Sequence, residues 1–235
     1  MNGGGVIAII PVLNEAGAIG PTVAALPRDV VDTVLVVDGG SRDGTVTEAR
    51  AAGAEVIIER RPGYGRACLM GAELARERAA SIALFLDGDG ADPAESAGRL
   101  IEPLLAGRAD FVLASRTRGR REAGSMGIHQ VVSGRLIGLA IGLVTGVRYS
   151  DMSAFRAIRL DRLAALPMRE MTYGWNLEMQ MHAARAGLRI EEIPLPYRCR
   201  VAGTSKVAGT VRGTLRAGFR IVLTFLRVWL AAPSR

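Results

Sequence analysis

One stretch of this chain limits its fold more than any other: an apolar run, IALFL at 82–86, that ends in the turn DGDG at 87–90. A run of this length and composition is typical of a strand that is buried on both faces of a parallel sheet. Asp87 and Asp89 then follow the carboxyl end of the strand, where open α/β sheets bind their ligands. The stretch therefore predicts an α/β fold with an acidic site at one edge of the sheet.

The two carboxylates suggest a bound cation, because a desolvated and unpaired carboxylate is costly. A divalent ion, Mg²⁺ or Mn²⁺, would neutralise Asp87 and Asp89 and keep coordination positions for phosphate oxygens. Gly88 has no side chain, so a ligand could approach the backbone there. The alternative is an ordinary polar turn between a strand and a helix, since Asp-Gly is common in turns. This stretch alone leaves both interpretations open.

The first half of the chain repeats an alternation of strand and helix. Further apolar runs with the length of strands lie at 6–10, 33–38, 55–58 and 110–114. Helices are predicted between the runs, at 14–26, 45–52, 66–79 and 93–106. Asn14 is a suitable cap for the first helix. Short connections in such an alternation imply a mostly parallel sheet with helices on both faces. Asp38 closes the second strand, so we expect it in the same crevice as Asp87 and Asp89.

The second half begins with a dense basic loop, SRTRGRR at 115–121. Helices are predicted at 128–145 and 175–186, and strands near 151–158 and 188–194. No low-complexity linker or internal repeat separates the two halves. We therefore predict one domain over 1–206, made of a first half at 1–114 and a second half at 115–206.

The last segment, 207–235, is predicted to form an amphipathic basic helix. Arg212, Arg216 and Arg220 recur at helical spacing, and Phe219, Phe225 and Trp229 are among the apolar residues of the other side. Such a helix can lie on an anionic membrane surface. The alternative is a helix that packs on its own domain with a solvated basic face. The combination of Phe, Trp and Arg favours the membrane surface.

Charge and composition restrict the partners. The net charge of +7 indicates an anionic partner, and no nucleic-acid-binding signature is present, so a nucleic acid is not expected. The loop PVLNE at 11–15 replaces the glycine-rich loop of a dinucleotide or P-loop site. Cys68 and Cys199 have no metal-binding spacing and favour a reducing compartment. No signal peptide is recognised, and no run of 18 consecutive apolar residues predicts a membrane span.

Several motifs together resemble the GT-A glycosyltransferases of family 2. In chain order these are PVLNE (11–15), VDGGSRDGT (37–45), GYGRA (63–67), DGD (87–89) and SR (115–116). The later motifs are similar to those of the dolichyl- and polyprenyl-phosphate sugar transferase branch: DMSAFR (151–156), YGWNLEM (173–179) and RVAGTSK (200–206). The resemblance spans nearly the whole chain, and the ordered set is specific although each motif alone is weak.

The resemblance implies a metal-dependent, inverting transfer of a hexose from UDP- or GDP-sugar to a polyprenyl or dolichyl phosphate. The first half would bind the nucleotide sugar through Pro11, Leu13, Glu15, Asp38, Asp87, Gly88 and Asp89. Asp87 and Asp89 would be the metal ligands. The family often has a second aspartate where this chain has Gly39, and a glutamine where it has Ala91.

The second half would bind the acceptor. The resemblance implies that the acceptor and the phosphates contact Arg116, Ser133, Arg200, Ser205 and Lys206. Asp89, Asp151 and Arg116 would be the catalytic residues. A lipid phosphate is already ionised and needs no strong base, whereas a hydroxyl acceptor does. Asp151 and Glu178 are the candidates for such a base, but we expect both of them, Asp151 first, to position the sugar or the acceptor instead.

Two other functions remain as alternatives. One is a family 2 glycosyltransferase with a soluble or lipid hydroxyl as acceptor. The other is a non-catalytic basic protein that binds anionic lipid or nucleic acid. The leading interpretation predicts a cytoplasmic enzyme with peripheral contact at the inner face of the membrane. The identity of the sugar, the base and the acceptor stays open, and so does a homo-oligomeric state.

Overall fold

The structure, a computed structural model, describes residues 4–202 and 211–231. The strands of this part are β1 (Val6–Val12), β2 (Thr33–Asp38), β3 (Glu55–Ile58), β4 (Ile82–Phe85), β5 (Phe111–Ser115), β6 (Arg156–Arg159) and β7 (Ile190–Pro194). They form one sheet in the order β3-β2-β1-β4-β6-β5-β7. Strand β6 runs antiparallel to both of its neighbours, and the other pairs are parallel. The predicted α/β fold with a mostly parallel sheet is confirmed.

Helices cover both faces of the sheet. They are α1 (Ile19–Ala24), α2 (Thr45–Ala51), α3 (Tyr64–Glu77), α4 (Ala97–Leu105), α5 (Ile128–Thr145), α6 (Leu160–Ala165), α7 (Trp175–Arg185) and α8 (Val211–Leu230). One apolar core joins α1 and α4 to the sheet. The core on the opposite face contains buried residues of α3, α5, α6, α7 and α8. Both cores consist mainly of aliphatic side chains, as the low aromatic content requires.

Two local predictions are wrong. Asn14 does not cap the first helix, which begins at Ile19, and its backbone has φ of 50°. Instead the Asn14 N–H donates to Ser41 Oγ at 2.8 Å, and Asn14 Oδ1 accepts from the Arg42 N–H at 2.9 Å. The helix predicted at 93–106 begins only at Ala97, because a 3₁₀ turn, Ala94–Ser96, precedes it.

Helix α5 has a length and composition that a membrane-crossing helix would need. Its 18 residues have a mean hydropathy of 1.4, and 17% of them are buried. Ile128 is 84% exposed, Leu136 61% and Leu143 80%. Scattered polar residues hide this property from a search for consecutive apolar residues, so the sequence prediction missed it. The core helix of a soluble protein and a signal sequence can have the same length and hydropathy. Helix α5, however, is far less buried than a core helix.

Helix α8 packs against α7. Ala217, Thr224 and Val228 on its inner side are buried. Arg185 of α7 donates to the carbonyl oxygens of Trp229 at 2.8 Å and of Ala231 at 3.1 Å. The inner side of α8 therefore packs on its own domain, as the alternative to a membrane-bound helix predicted.

The outer side of α8 exposes large apolar residues, namely Phe219, Val222, Leu223, Leu226, Trp229 and Leu230. Of the predicted basic row, Arg220 lies on the described part of the helix, while the side chains of Arg212 and Arg216 lie outside the described residues. The membrane interpretation of this helix accordingly depends on its apolar outer side.

A glycine allows α5 to approach the loop that follows it. A Cβ atom at Gly138 would lie 1.9 Å from the Tyr149 carbonyl oxygen. We expect Gly138→Ala to destabilise the protein by about 2 kcal/mol or more, because neither backbone can yield without repacking. The control is Gly218→Ala in α8, where a Cβ would meet nothing within 4 Å. That change should stabilise the helix by roughly 0.5–1 kcal/mol. Thermal unfolding of the two variants would contradict the account if both shifted in the same direction.

Candidate active site

The carboxyl ends of three neighbouring parallel strands bring the predicted donor residues to one edge of the sheet. Strand β1 lies between β2 and β4, and Val12 pairs with Asp38 across β1 and β2. The loops after all three strands therefore start at the same edge, as the sequence predicted for Asp38, Asp87 and Asp89. Pro11 lies on β1, and Leu13 directly after β1 is 41% exposed.

Asp38 organises the loop that follows it. Its Oδ2 accepts from the backbone N–H groups of Gly40 and Ser41, both at 2.9 Å, and its Oδ1 accepts from the Ser41 hydroxyl. Gly40 has φ of 91°, a conformation that favours glycine. Asp38 is only 1% exposed. Contact between this carboxylate and a nucleoside stays a prediction, and the structure adds that the carboxylate shapes the loop.

Arg200 connects the two halves of the site. Its Nη2 lies 3.0 Å and 3.1 Å from the two carboxylate oxygens of Glu15 and 3.3 Å from Asp89 Oδ2. The next residue, Val201, donates its N–H to the Asp89 carbonyl oxygen at 3.0 Å. A predicted phosphate-binding cation thus lies against two predicted donor-site acids, although it is distant from both in the sequence. Ser205 and Lys206 of the same motif lie outside the described residues.

A third acid, Asp92, lies beside Asp87 and Asp89. Burial and the nearby charges of Asp87 and Asp89 raise the pKa of Asp92 well above its ordinary value. Burial and Asp89 also raise the pKa of Asp87, against the opposing charges of Arg116 and Arg200. Sequence reasoning considered only the Asp87–Asp89 pair. The spacing DGDGAD, in which a further acid closes the same turn, was the signal for Asp92.

These acids suit a hard divalent cation. Burial first, and the neighbouring charge of Asp89 second, raise the pKa of Asp87, and a bound cation would favour its ionised form against both. Asp89 Oδ1 accepts from the Ala91 N–H at 2.9 Å, which orients the carboxylate. Within residues 4–202 and 211–231, no group of three His, Cys, Asp or Glu side chains could hold a metal by itself. Two carboxylates plus oxygens from a diphosphate and water are a usual set for Mg²⁺.

Gly88 is required by packing as well as by any ligand. A Cβ atom at this position would lie 2.6 Å from Val12 Cγ1 and 3.3 Å from Ile10 Cγ2. Any larger residue would push the acidic loop away from β1. The sequence suggested that Gly88 lets a ligand approach the backbone. Its packing against Val12 and Ile10 is a second reason for a glycine at this position.

Arg116 and Asp151 form a bidentate ion pair in which Asp151 is buried and Arg116 is partly exposed. Arg116 Nε and Nη2 each donate to a different Asp151 oxygen at 2.8 Å, and the Arg116 N–H donates to Oδ2 at 2.9 Å. The guanidinium also lies over the Tyr197 ring, 5.1 Å from its centroid. Burial would raise the pKa of Asp151, but the hydrogen bonds from Arg116 outweigh it and lower that pKa. Both Asp151 oxygens are therefore committed to holding the arginine.

Hydrogen bonds from Gln180 and Arg156 fix the loop that carries Asp151. Gln180 Nε2 donates to the Asp151 carbonyl oxygen at 2.9 Å. Arg156 is fully buried, and it donates to the carbonyl oxygens of Asn176, at 3.1 Å, and of Ser153. This arginine ties the loop to the start of α7. Sequence reasoning recognised it as part of a motif but did not predict this structural role.

Ser133 and Glu178 do not join this cluster. Ser133 lies on α5, is exposed, and donates to the Gln130 carbonyl oxygen at 3.2 Å. Glu178 Oε2 accepts the N–H groups of Arg169 at 2.9 Å and of Glu170 at 2.6 Å. Its Oε1 lies 2.8 Å from Arg227 Nη2 of α8. These contacts link Glu178 to the last helix, and its predicted role in positioning a sugar or acceptor stays a prediction.

This anchoring role of Glu178 can be tested. We expect Glu178→Ala to destabilise the protein by roughly 1–3 kcal/mol, because two buried N–H groups lose their acceptor. Glu178→Gln keeps an oxygen acceptor and should recover much of that loss. Neither change should alter the affinity for a nucleotide sugar. A weaker nucleotide-sugar affinity with unchanged thermal stability would instead support a role in sugar positioning.

The chain is similar to several known proteins. Residues 7–163 match the protein family described as "Glycosyl transferase family 2". An uncharacterized glycosyltransferase of Mycobacterium tuberculosis is 33% identical over 232 residues, which cover 97% of this chain and 99% of the relative. The undecaprenyl-phosphate mannosyltransferase of Micrococcus luteus is 33% identical over 224 residues, covering 88% of this chain and 89% of the relative.

Among solved structures, glucosyl-3-phosphoglycerate synthase of M. tuberculosis, in complex with Mn²⁺, UDP-glucose and phosphoglyceric acid, has the same fold. The TM-score is 0.75 at 22% identity, and the match covers 99% of this chain and 82% of the other. The fold is thus that of the GT-A glycosyltransferases. The chain belongs to glycosyltransferase family 2. It is an enzyme, and the alternative of a non-catalytic binding protein no longer applies.

Proposed function

We propose that this enzyme transfers a hexose from a UDP- or GDP-sugar to a polyprenyl or dolichyl phosphate, by a single displacement with inversion at the anomeric carbon. The observation that carries the proposal is the Arg116–Asp151 pair. A hydroxyl acceptor needs a base, and both oxygens of Asp151 are already bound to Arg116. An ionised phosphate attacks without such a base. The similarity to the undecaprenyl-phosphate mannosyltransferase of M. luteus also supports this acceptor class.

The donor half is proposed to hold the nucleotide sugar over the acidic loop. Asp87 and Asp89 would hold Mg²⁺ or Mn²⁺, which when bound stabilises the departing nucleoside diphosphate as a Lewis acid. A structural relative has been solved in complex with Mn²⁺ and UDP-glucose, which supports a divalent metal and a nucleotide sugar as ligands. Arg200, next to Asp89 and Glu15, would bind diphosphate oxygens, as arginine does in bidentate fashion.

Arg116 is proposed to stabilise the charge that forms during transfer. Asp151 and the Tyr197 ring hold its guanidinium in one orientation, so little reorganisation is needed when negative charge develops. Asp151 would therefore act as a positioning residue for Arg116. Pro11 and Leu13, beside the Asp38 loop, would contact the nucleoside.

The enzyme is further proposed to act in the cytoplasm, in peripheral contact with the inner face of the membrane. The exposed apolar residues of α5 and α8 support this location, because surface patches of this kind are typical of membrane contacts. Flotation with vesicles of anionic phospholipid tests it. Leu136→Glu with Leu143→Glu on α5 should weaken vesicle binding, and Leu105→Glu at the exposed end of α4 should not. Equal flotation of wild type and the α5 variant would contradict the use of α5 as a contact.

A hydroxyl acceptor is the second candidate, and Asp92 is the observation in its favour. Burial and the charges of Asp87 and Asp89 raise the pKa of Asp92, so this carboxylate holds a proton more strongly than an ordinary aspartate does, and it is 5% exposed beside the acidic loop. In this case Asp92→Asn would abolish transfer. With a lipid phosphate as acceptor, the same variant should retain measurable activity.

The test is a transfer assay with radiolabelled UDP- and GDP-hexoses. Each donor is offered undecaprenyl phosphate in detergent micelles or a soluble hydroxyl acceptor such as glycerate. The proposal expects label in the organic extract with one donor, and none when undecaprenyl phosphate is left out. Label found only on the hydroxyl acceptor would overturn the lipid-phosphate assignment in favour of the second candidate.

A further inference from the structure

A cleft of ≈ 380 Å³ lies next to the Arg116–Asp151 pair. Thr117 and Ser150, which line it, are the chain neighbours of the two paired residues. Thr117 Oγ1 donates to the Ser150 carbonyl oxygen at 2.9 Å, so the two loops are joined at the floor of the cleft. Two residues that line the cleft are therefore bonded in the chain to the residues that are proposed to stabilise the transferred charge.

Three arginines from three separate segments converge on this cleft. Arg118 follows β5, Arg135 lies on α5, and Arg148 lies in the loop after α5. Glycines make the convergence possible, because α5 packs directly on that loop at Gly138 and at Gly142. A Cβ atom at Gly142 would lie 3.3 Å from the Arg148 Cβ.

The cleft carries an excess of positive charge. Glu192 is its single acidic lining residue within the described part of the chain, against the three arginines. Both Glu192 oxygens accept from the Ser150 N–H, at 2.9 and 3.1 Å, and Arg118 Nη1 lies 3.8 Å away. Arg135 and Arg148 form no ion pair with residues 4–202 or 217–231. Guanidinium groups of this kind bind phosphate oxygens in bidentate fashion.

We propose that this cleft binds the phosphate monoester of the acceptor, through Arg118, Arg135 and Arg148. This inference deepens the proposed function and rests on it for the role of acceptor. A dianionic phosphate balances the excess charge of three arginines over one carboxylate. Thr117 and Ser150, which line the cleft, are one residue along the chain from Arg116 and Asp151.

The assignment moves the acceptor phosphate away from Ser133. Ser133 and Arg135 are two residues apart on α5, so they lie about 200° apart around the helix. Only Arg135 of the two lines the cleft. The exposed residues Leu136, Leu139 and Leu143 continue along the same helix and offer an apolar surface to a hydrocarbon chain. The phosphate monoester is common to a polyprenyl phosphate and to a soluble phosphorylated acceptor, and the experiment separates these sources.

The test measures binding without turnover. Undecaprenyl phosphate in detergent micelles and glycerol 3-phosphate in buffer are titrated into the full-length protein by calorimetry. The variant carries Arg135→Ala and Arg148→Ala. The charge-matched control carries Arg50→Ala and Arg76→Ala, two exposed arginines on α2 and α3. A third variant, with Arg135→Lys and Arg148→Lys, keeps the charge but not the bidentate geometry.

We expect the cleft variant to raise the Kd for a phosphate monoester at least tenfold, the lysine variant to lie between it and wild type, and the control to match wild type. If only undecaprenyl phosphate depends on the arginines, the source is the lipid; if glycerol 3-phosphate does as well, the phosphate group suffices. Equal Kd values for wild type and the cleft variant, or no binding of either monoester to wild type, would overturn the proposal.

A measurement of nucleotide binding distinguishes a failure of the cleft proposal from a failure of the proposed function. The cleft variant should retain the wild-type thermal stabilisation by its nucleoside diphosphate with Mn²⁺. Loss of nucleotide binding in wild type itself would contradict the donor site, whatever the monoesters do. Normal nucleotide binding together with arginine-independent monoester binding would refute the cleft alone.

Discussion

Asp89→Asn should reduce kcat/KM for sugar transfer about a thousandfold, which corresponds to ~4 kcal/mol of lost transition-state stabilisation. The carboxylate lies beside Asp87, contacts Arg200 through Oδ2 at 3.3 Å, and is 7% exposed. The amide cannot supply the negative charge that a divalent ion requires. Its oxygen can still accept from the Ala91 N–H, so the loop should keep its conformation.

The control for this prediction is Asp161→Asn. Asp161 lies on α6 with a side chain that is 59% exposed, and the substitution makes the same change in charge. It should leave both turnover and unfolding temperature at wild-type values. The Asp89→Asn enzyme should have the wild-type unfolding temperature but a much lower turnover. An Asp89→Asn enzyme within threefold of wild-type activity would contradict the assignment of the acidic loop.

Asp151→Asn should have the second largest effect, on stability and on turnover together. Removing one partner of a buried ion pair leaves the other charge uncompensated, at a cost of about 3–5 kcal/mol. Asp151 is buried, and the Arg116 side chain is 20% exposed. Because its folded-state pKa is lowered, Asp151 contributes this stability above the ordinary aspartate range and loses it as the pH falls below that range. Activity should fall because Arg116 is no longer oriented.

The chain contains a matched ion pair that serves as the control. Arg189 binds Asp110 with the same pattern, through its backbone N–H at 3.1 Å, Nε at 2.9 Å and Nη2 at 2.8 Å. The Arg189 side chain is 55% exposed, so water can solvate it after Asp110→Asn. That variant should lose less stability and retain full turnover. Equal losses of turnover in the two variants would show that Arg116 has no special role in transfer.

The strands with uninterrupted apolar runs could be predicted from the sequence, and the parallel order of β1, β2 and β4 then brought Asp38, Asp87 and Asp89 to one edge. Strand β6 could be located but not oriented. Its four residues include two arginines, and its antiparallel place between β4 and β5 depends on pairing with residues far along the chain. Helix α6 has only six residues, too few for a periodic pattern.

Long-range pairing also explains what the sequence could not say about the site. The types of Arg116, Asp151 and Arg200 suggested phosphate and sugar contacts, but no spacing predicts that Arg116 holds both oxygens of Asp151. The sequence spacing also does not predict that Arg200 contacts Glu15, which lies 185 residues away in the chain. The contact between Glu178 and Arg227 could not be predicted for the same reason, since the local pattern does not show where the last helix packs.

The most direct test of the donor site is a thermal-shift titration with UDP, GDP, CDP and ADP, each with and without Mn²⁺. A ligand that binds the native state raises its Tm by mass action. We predict a metal-dependent rise with either UDP or GDP, and its loss in the Asp89→Asn enzyme. No rise with any of the four nucleotides, or a rise that is equal without the metal and in the variant, would contradict the account of the acidic edge as a metal-dependent nucleotide-sugar site.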